Sequence, residues 1–125
     1  MILLLDSHAL LWWLAKSPEL RDSAATSIAD PANEVVVSAA SIWEIEIKRA
    51  KGKLRPPEAL LDAIQAEGFS TLAITGSDAV RAAGLPDHHA DPFDRVLVAQ
   101  ALRLDATIVS RDPALPAYGV DVLPT

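Results

Sequence analysis

No cysteine occurs in the 125 residues, which excludes disulfides, thiolate metal sites and cysteine nucleophiles and fits a reducing compartment. Glycine-rich phosphate cradles are also missing. Neither G-x-G-x-x-G nor a P-loop occurs, so a nucleotide held in that way is excluded. No apolar run reaches the ~20 residues that a membrane-spanning helix needs. The apolar opening, Met1 to Ala15, contains Asp6 and His8, has no basic stretch before it and no clean small-residue cleavage site after it. It therefore does not read as a signal peptide, and the expectation is a cytoplasmic chain with no membrane partner. Low-complexity segments, linkers and internal repeats are absent too.

Half of the residues are apolar and the formal charge is −6, so a packed globule is expected, organised as one domain over residues 1–125. Short β-type runs fall at Ile2 to Leu5, Val35 to Val37, Thr71 to Ile74 and Thr107 to Val109, and a last edge strand at Val120 to Leu123. Helical periodicity or good helix formers fill His8 to Ala15, Glu19 to Ala29, Ala39 to Lys51, Pro57 to Glu67, Ser77 to Ala83 and Pro92 to Leu104. This alternation predicts an α/β fold: a central parallel sheet of four to five short strands with helices on both faces. In such sheets ligands sit beyond the carboxyl ends of the strands. Asp6 follows the first strand, Asp112 comes shortly after the Thr107 run, Glu44 lies in the helix after Val35 to Val37, and Asp91 and Asp94 open the long helix that leads to the Thr107 strand.

Each acid has an ordinary local explanation. Asp6 suits a helix N-cap, Ser41 with Glu44 fits the S-x-x-E capping box, and Lys48 is placed to pair with Glu44 one turn on. Asp91 before Pro92 reads as an N-cap with proline at the first helical position, Asp94 is favoured at the positive helix end, and Asp112 before Pro113 resembles a turn initiator. Caps do not require that the acids share one rim of the sheet. Three or four converging carboxylates repel one another, and a cation is the natural compensation. Hard oxygen donors, with no cysteine and no histidine pair on one helix, point to Mg²⁺ or Mn²⁺ rather than Zn²⁺. Such ions support in-line phosphoryl displacement, which makes phosphodiester hydrolysis the leading chemistry.

Ser7, Ser110 and Asp91 are secondary candidates around these acids, with Ser110 able to hydrogen-bond a ligand carboxylate. His8, His88 and His89 read as structural or solvent-exposed. Lys48, Arg49, Lys51, Lys53 and Arg55 form a basic group that either tracks a phosphate backbone or completes a solvated helix end.

With these residues in view, the whole chain resembles the PIN-domain ribonucleases, most closely the VapC-type toxins of toxin–antitoxin pairs. The resemblance rests on Ile2-Leu-Leu-Leu-Asp6-Ser-His8, Val37-Ser-Ala-Ala-Ser-Ile-Trp-Glu44 through Lys48, and Gly52-Lys-Leu54. It continues with His89-Ala-Asp91-Pro-Phe-Asp94-Arg95, Ile108-Val-Ser-Arg-Asp112 and Tyr118-Gly-Val120. It implies an acidic site of Asp6, Glu44, Asp94 and Asp112 holding one or two Mg²⁺ or Mn²⁺ ions and acting on RNA. It also implies a small protein antitoxin that occludes this site, and a homodimeric toxin. Ala90 stands where an Arg is common and Ser110 where a Thr is common; the first departure removes a phosphate contact, the second keeps the hydroxyl. A helix as apolar all round as Leu10 to Leu14 belongs in a core or an interface, and Trp43 is placed to line the same groove. Other readings stay open at this point: a PIN-type nuclease of RNA processing, a receiver-type or phosphatase aspartate domain, and a catalytically silent binding module.

Overall fold

A computed structural model describes all 125 residues. Five strands, β1 Ile2–Leu5, β2 Glu34–Ser38, β3 Ser70–Leu72, β4 Thr107–Val109 and β5 Asp121–Leu123, form one sheet in the order β3-β2-β1-β4-β5. Every neighbouring pair is parallel. All five carboxyl ends therefore share one edge. Between the strands lie α1 Ser7–Leu14, α2 Asp22–Ala29, α3 Ala39–Ala50, α4 Leu60–Ala66, α5 Gly76–Gly84 and α6 Pro92–Leu104, with a 3-10 turn at Leu115–Tyr118 before β5.

The near-continuous apolar strands split their side chains between two cores, as a period of two residues requires. Leu3, Leu5, Val35, Val37 and Val109 join Leu10, Ile28, Ile45 and Ile64 on one face. Leu4, Val36 and Ile108 join Leu97, Val98 and Leu115 on the other. Leu3, Leu4 and Leu5 are all fully buried, so truncating any one of them to alanine should cost ~2–5 kcal/mol.

Helix starts follow local chemistry. Asp6 caps α1 by accepting from the Ala9 N–H at 2.8 Å. Ser38 caps α3 through Ala40. Thr75 and Asp78 form a reciprocal capping box on α5, and Asp78 also receives two nitrogens of Arg103 from α6 at 2.8 and 3.0 Å. Asp91 caps α6, with Pro92 in its first turn.

Several expected boundaries move. The third strand, expected at Thr71 to Ile74, is Ser70–Leu72, because Leu72 pairs with Ser38, where β2 ends and its chain turns into α3. The second helix begins at Asp22 rather than Glu19, since Ser17 to Leu20 close a turn with Leu20 N–H on Ser17 O. The fourth begins at Leu60 rather than Pro57, because the Pro56 and Pro57 carbonyls accept from Arg49 outside the helix. The expected Ser41–Glu44 capping box does not form. Ser38 is the cap, which leaves Ser41 inside α3 with a buried, unpartnered hydroxyl.

Candidate active site

Beyond the carboxyl ends of β1 and β4 opens a cleft of about 530 Å³, and Asp6, Glu44, Asp94 and Asp112 all line it together with Ser7, Ser110 and Asp91. Asp6 is the first residue past β1, and its backbone N–H donates to Val109 O at 3.2 Å, extending the β1–β4 ladder by one step. That bond fixes Asp6 beside Ser110, the residue after β4. Glu44 projects from the second turn of α3. Its Oε1 accepts from Ser7 Oγ at 2.5 Å and its Oε2 from Lys48 Nζ at 3.0 Å, so both oxygens are oriented. Asp94 enters from the first turn of α6, two residues past Pro92.

Asp112 is held by a turn of its own. Its N–H donates to Ser110 Oγ at 3.1 Å, and its Oδ1 accepts from Ala114 N–H at 2.9 Å, as expected for a turn initiator. Oδ2 is thereby left facing His89, whose Nε2 lies 2.6 Å from it and 3.1 Å from Asp94 Oδ2. Ligand atoms of His89, Asp94 and Asp112 all lie within 4.8 Å of one another. The expectation that all three histidines are structural or exposed is therefore corrected for His89. His8 and His88 are exposed, His8 tilted against Trp12 at a ring-centroid distance of 5.5 Å and His88 edge-on to Tyr118 at 4.9 Å.

The electrostatics record the crowding. Burial pushes the Asp94 carboxyl up to about 7, and the negative charges of Asp91, Glu44 and Asp6 add to it while His89 opposes. Burial also raises Asp6, against hydrogen bonds from Ser110 and Ala9 and the charge of His8, with Glu44 contributing repulsion. For His89, burial disfavours the charged ring, but the hydrogen bond to Asp112 and the charges of Asp94, Asp112 and Asp91 outweigh it and raise its pKa. Its Nδ1 accepts from the Asp91 N–H at 3.0 Å, an arrangement that places a proton on Nε2, where it is donated to the carboxylates.

Arg95 was outside the expected set, and its contacts explain how His89 reaches the site. The guanidinium donates to the carbonyl oxygens of Ala82, Ala83, Leu85, Pro86 and His89 and to Tyr118 Oη. It gathers the chain between α5 and α6 into one conformation. The signal was present in the sequence as Arg95 directly after Asp94, but the spacing alone does not show that its partners are backbone carbonyls of the preceding loop.

A cation suits this donor set. Two carboxylate oxygens, of Asp94 and Asp112, are already clustered, two further carboxylates line the same walls, and the crowd holds a proton that a divalent ion would replace.

Comparison with known proteins agrees with this architecture. The profile of the PIN domain family matches residues 3–120. The chain is 32% identical over 118 residues to Ribonuclease VapC22 of Mycobacterium tuberculosis, covering 92% of this chain and 90% of that protein. The DNA-bound VapBC structure from Salmonella typhimurium superposes with a TM-score of 0.69 at 12% identity, covering 99% of this chain and 98% of that one. A toxin–antitoxin complex from Klebsiella pneumoniae gives a TM-score of 0.66 at 16% identity over 96% and 94% of the two chains.

Proposed function

We propose, from the premise that this chain belongs to the PIN domain family, that it is a divalent-metal-dependent endoribonuclease and the toxin of a toxin–antitoxin pair. The observation that carries the reading is the convergence of Asp6, Glu44, Asp94 and Asp112, from four separate segments, on one cleft. The ribonuclease name of the relative at 32% identity supports RNA as the substrate.

Asp94 and Asp112, with Asp6 and Glu44, would hold Mg²⁺ or Mn²⁺, the ions that suit hard oxygen donors. When bound, such an ion supplies Lewis-acid stabilisation of the charge that builds on the phosphoryl oxygens. The remaining work is done by the chain. Ser7 and Lys48 orient Glu44, Ser110 fixes the turn that carries Asp112, and His89 Nε2–H bridges Asp112 and Asp94, holding two like charges together. The Lys48 ammonium also offers a positive group to an entering phosphate at the edge of an otherwise acidic cleft.

The partner in this reading is a protein antitoxin whose basic tail covers the acids, an encounter favoured by complementary charge. Similarity to toxin–antitoxin and VapBC assemblies supports it. In this reading the active form is a homodimer of one-domain chains acting in the cytoplasm; no helix is long and apolar enough to cross a membrane. The test is cleavage of RNA by antitoxin-free protein. Cleavage in Mg²⁺ or Mn²⁺, abolished by EDTA and restored by excess metal, is expected. Equal cleavage in EDTA, or none with any divalent ion, overturns the proposal.

A further inference from the structure

The acidic cleft continues into a second cleft of about 410 Å³, and Glu44, Lys48 and Asp91 form the wall common to both. Lys51 and Lys53 line one side of this second cleft, and Ala90, Pro92 and Phe93 line the other. Trp43 stands beside it, 61% exposed, with its ring 5.3 Å from Phe93 in an edge-on arrangement.

The members of the basic group have different duties. Arg49 is committed to Glu46 and to the carbonyls of Pro56 and Pro57. Lys48 pairs with Glu44. Arg55 lines a different cleft, beside Leu11 and Trp12. Lys51 and Lys53 are exposed and make no ion pair. They are not needed to close the helix either. The backbone N–H groups of Lys51, Gly52 and Lys53 already bond Ile47, Arg49 and Lys48 carbonyls, with Gly52 at φ +69° making the turn. In a chain of net charge −6, two uncommitted ammonium groups beside an exposed indole and next to the acids fit a polyanion that also carries flat rings.

We propose that this second cleft receives the single-stranded RNA adjoining the scissile phosphate, with Lys51 and Lys53 binding its phosphates and Trp43 offering a stacking face to one base. The proposal rests on the ribonuclease reading and gives that site its strand-holding half. Lysines supply sequence-independent phosphate contacts, and an indole stacks on any base. The strand is therefore held without base-edge readout here. The same cations repel a basic antitoxin tail, which leaves the acids as its place to dock.

The test is an anisotropy titration of a labelled single-stranded RNA oligonucleotide with the antitoxin-free chain, run in Ca²⁺ and repeated over a range of KCl. Cleavage by each variant in Mn²⁺ is followed alongside. Lys51→Gln combined with Lys53→Gln should weaken binding about tenfold and flatten the log–log salt slope by about 1.4, the share of two phosphate contacts on a single strand. Trp43→Ala should weaken binding about tenfold with the slope unchanged, and Trp43→Phe should restore most of the loss. Arg55→Gln, outside the cleft, should retain wild-type affinity. Cleavage by the lysine variant should show a raised KM with kcat retained, the signature of uniform binding. Wild-type affinity and slope in the double variant overturn the proposal and leave the ribonuclease reading standing. So does a loss of antitoxin binding with RNA binding intact, which would make the cleft a protein site. A wild-type chain that neither binds nor cleaves RNA overturns both.

Discussion

Asp94 shows how one side chain answers two opposing fields. As an acid in the first turn of α6 it faces the positive end of a helix, which favours its charge. Burial and the carboxylates of Asp91, Glu44 and Asp6 outweigh this and raise it from 3.8 to about 7. In chelated protein the folded chain thus keeps a proton that the unfolded chain has already released, so the contribution of this group to stability is full below about pH 4 and is lost as pH rises through about 7. Asp94→Asn removes that loss. Thermal melts in EDTA should show the variant more stable than wild type by about 1–4 kcal/mol near pH 8, with the gap closing towards pH 4. A variant less stable at pH 8, or a gap independent of pH, contradicts the crowding. Asp91 behaves differently, because its carboxylate caps Phe93 N–H at 2.8 Å. Asp91→Ala should cost ~0.5–2 kcal/mol. At this scale the acids were legible in the sequence, since Asp6 and Asp112 follow strands, Asp91 and Asp94 open a helix, and Glu44 lies early in the helix after β2. His89 was not. A histidine in a loop carries no periodicity, and its approach to Asp112 depends on the Asp91 N–H and on Arg95.

Among the elements, β1, β4 and α6 lie where the apolar pattern and the Asp-Pro start place them. Ends set by tertiary partners were harder to read. Strand β3 stops where its neighbour β2 runs out, and α4 starts late because Arg49 holds the two proline carbonyls that precede it. The α5–α6 connection gives the sharpest test at this scale. Arg95 bonds five backbone carbonyls and the Tyr118 hydroxyl through one planar fork, which the three donors of a lysine cannot reproduce. Arg95→Lys should lower stability by ~0.5–1.5 kcal/mol, as several of these partly exposed carbonyls lose their donor to water. It should also free His89, so the imidazole resonances of His89 should lose their chemical-shift dependence on the Asp112 carboxylate. A variant with wild-type melting and unchanged His89 resonances would show that the clamp does not position the loop.

For the whole molecule, the parallel sheet gathers acids from four segments at one edge, and the sequence reading expected that gathering from parallel strands whose carboxyl ends share an edge, not from any single motif. Of the two places expected for the apolar Leu10 to Leu14 stretch, core or interface, the structure shows core packing. Leu10 is fully buried, and Leu11, Trp12, Trp13 and Leu14 pack against the core beneath. Leu61 of α4 is an apolar side chain left 55% exposed. If α4 forms the symmetric contact, light scattering should report a dimer at micromolar concentration and Leu61→Asp a monomer with its fold intact. A wild-type monomer, or a dimer unaffected by Leu61→Asp, contradicts that assignment.

The central claim is that the carboxylates around Asp94 would hold the divalent ion on which RNA cleavage depends. It is tested most directly by the RNA cleavage rate of Asp94→Asn against wild type, both folded and both saturated with Mn²⁺. Loss of a ligand at such a site should lower the rate by about 100-fold or more. Cleavage by Asp94→Asn at the wild-type rate would contradict the account.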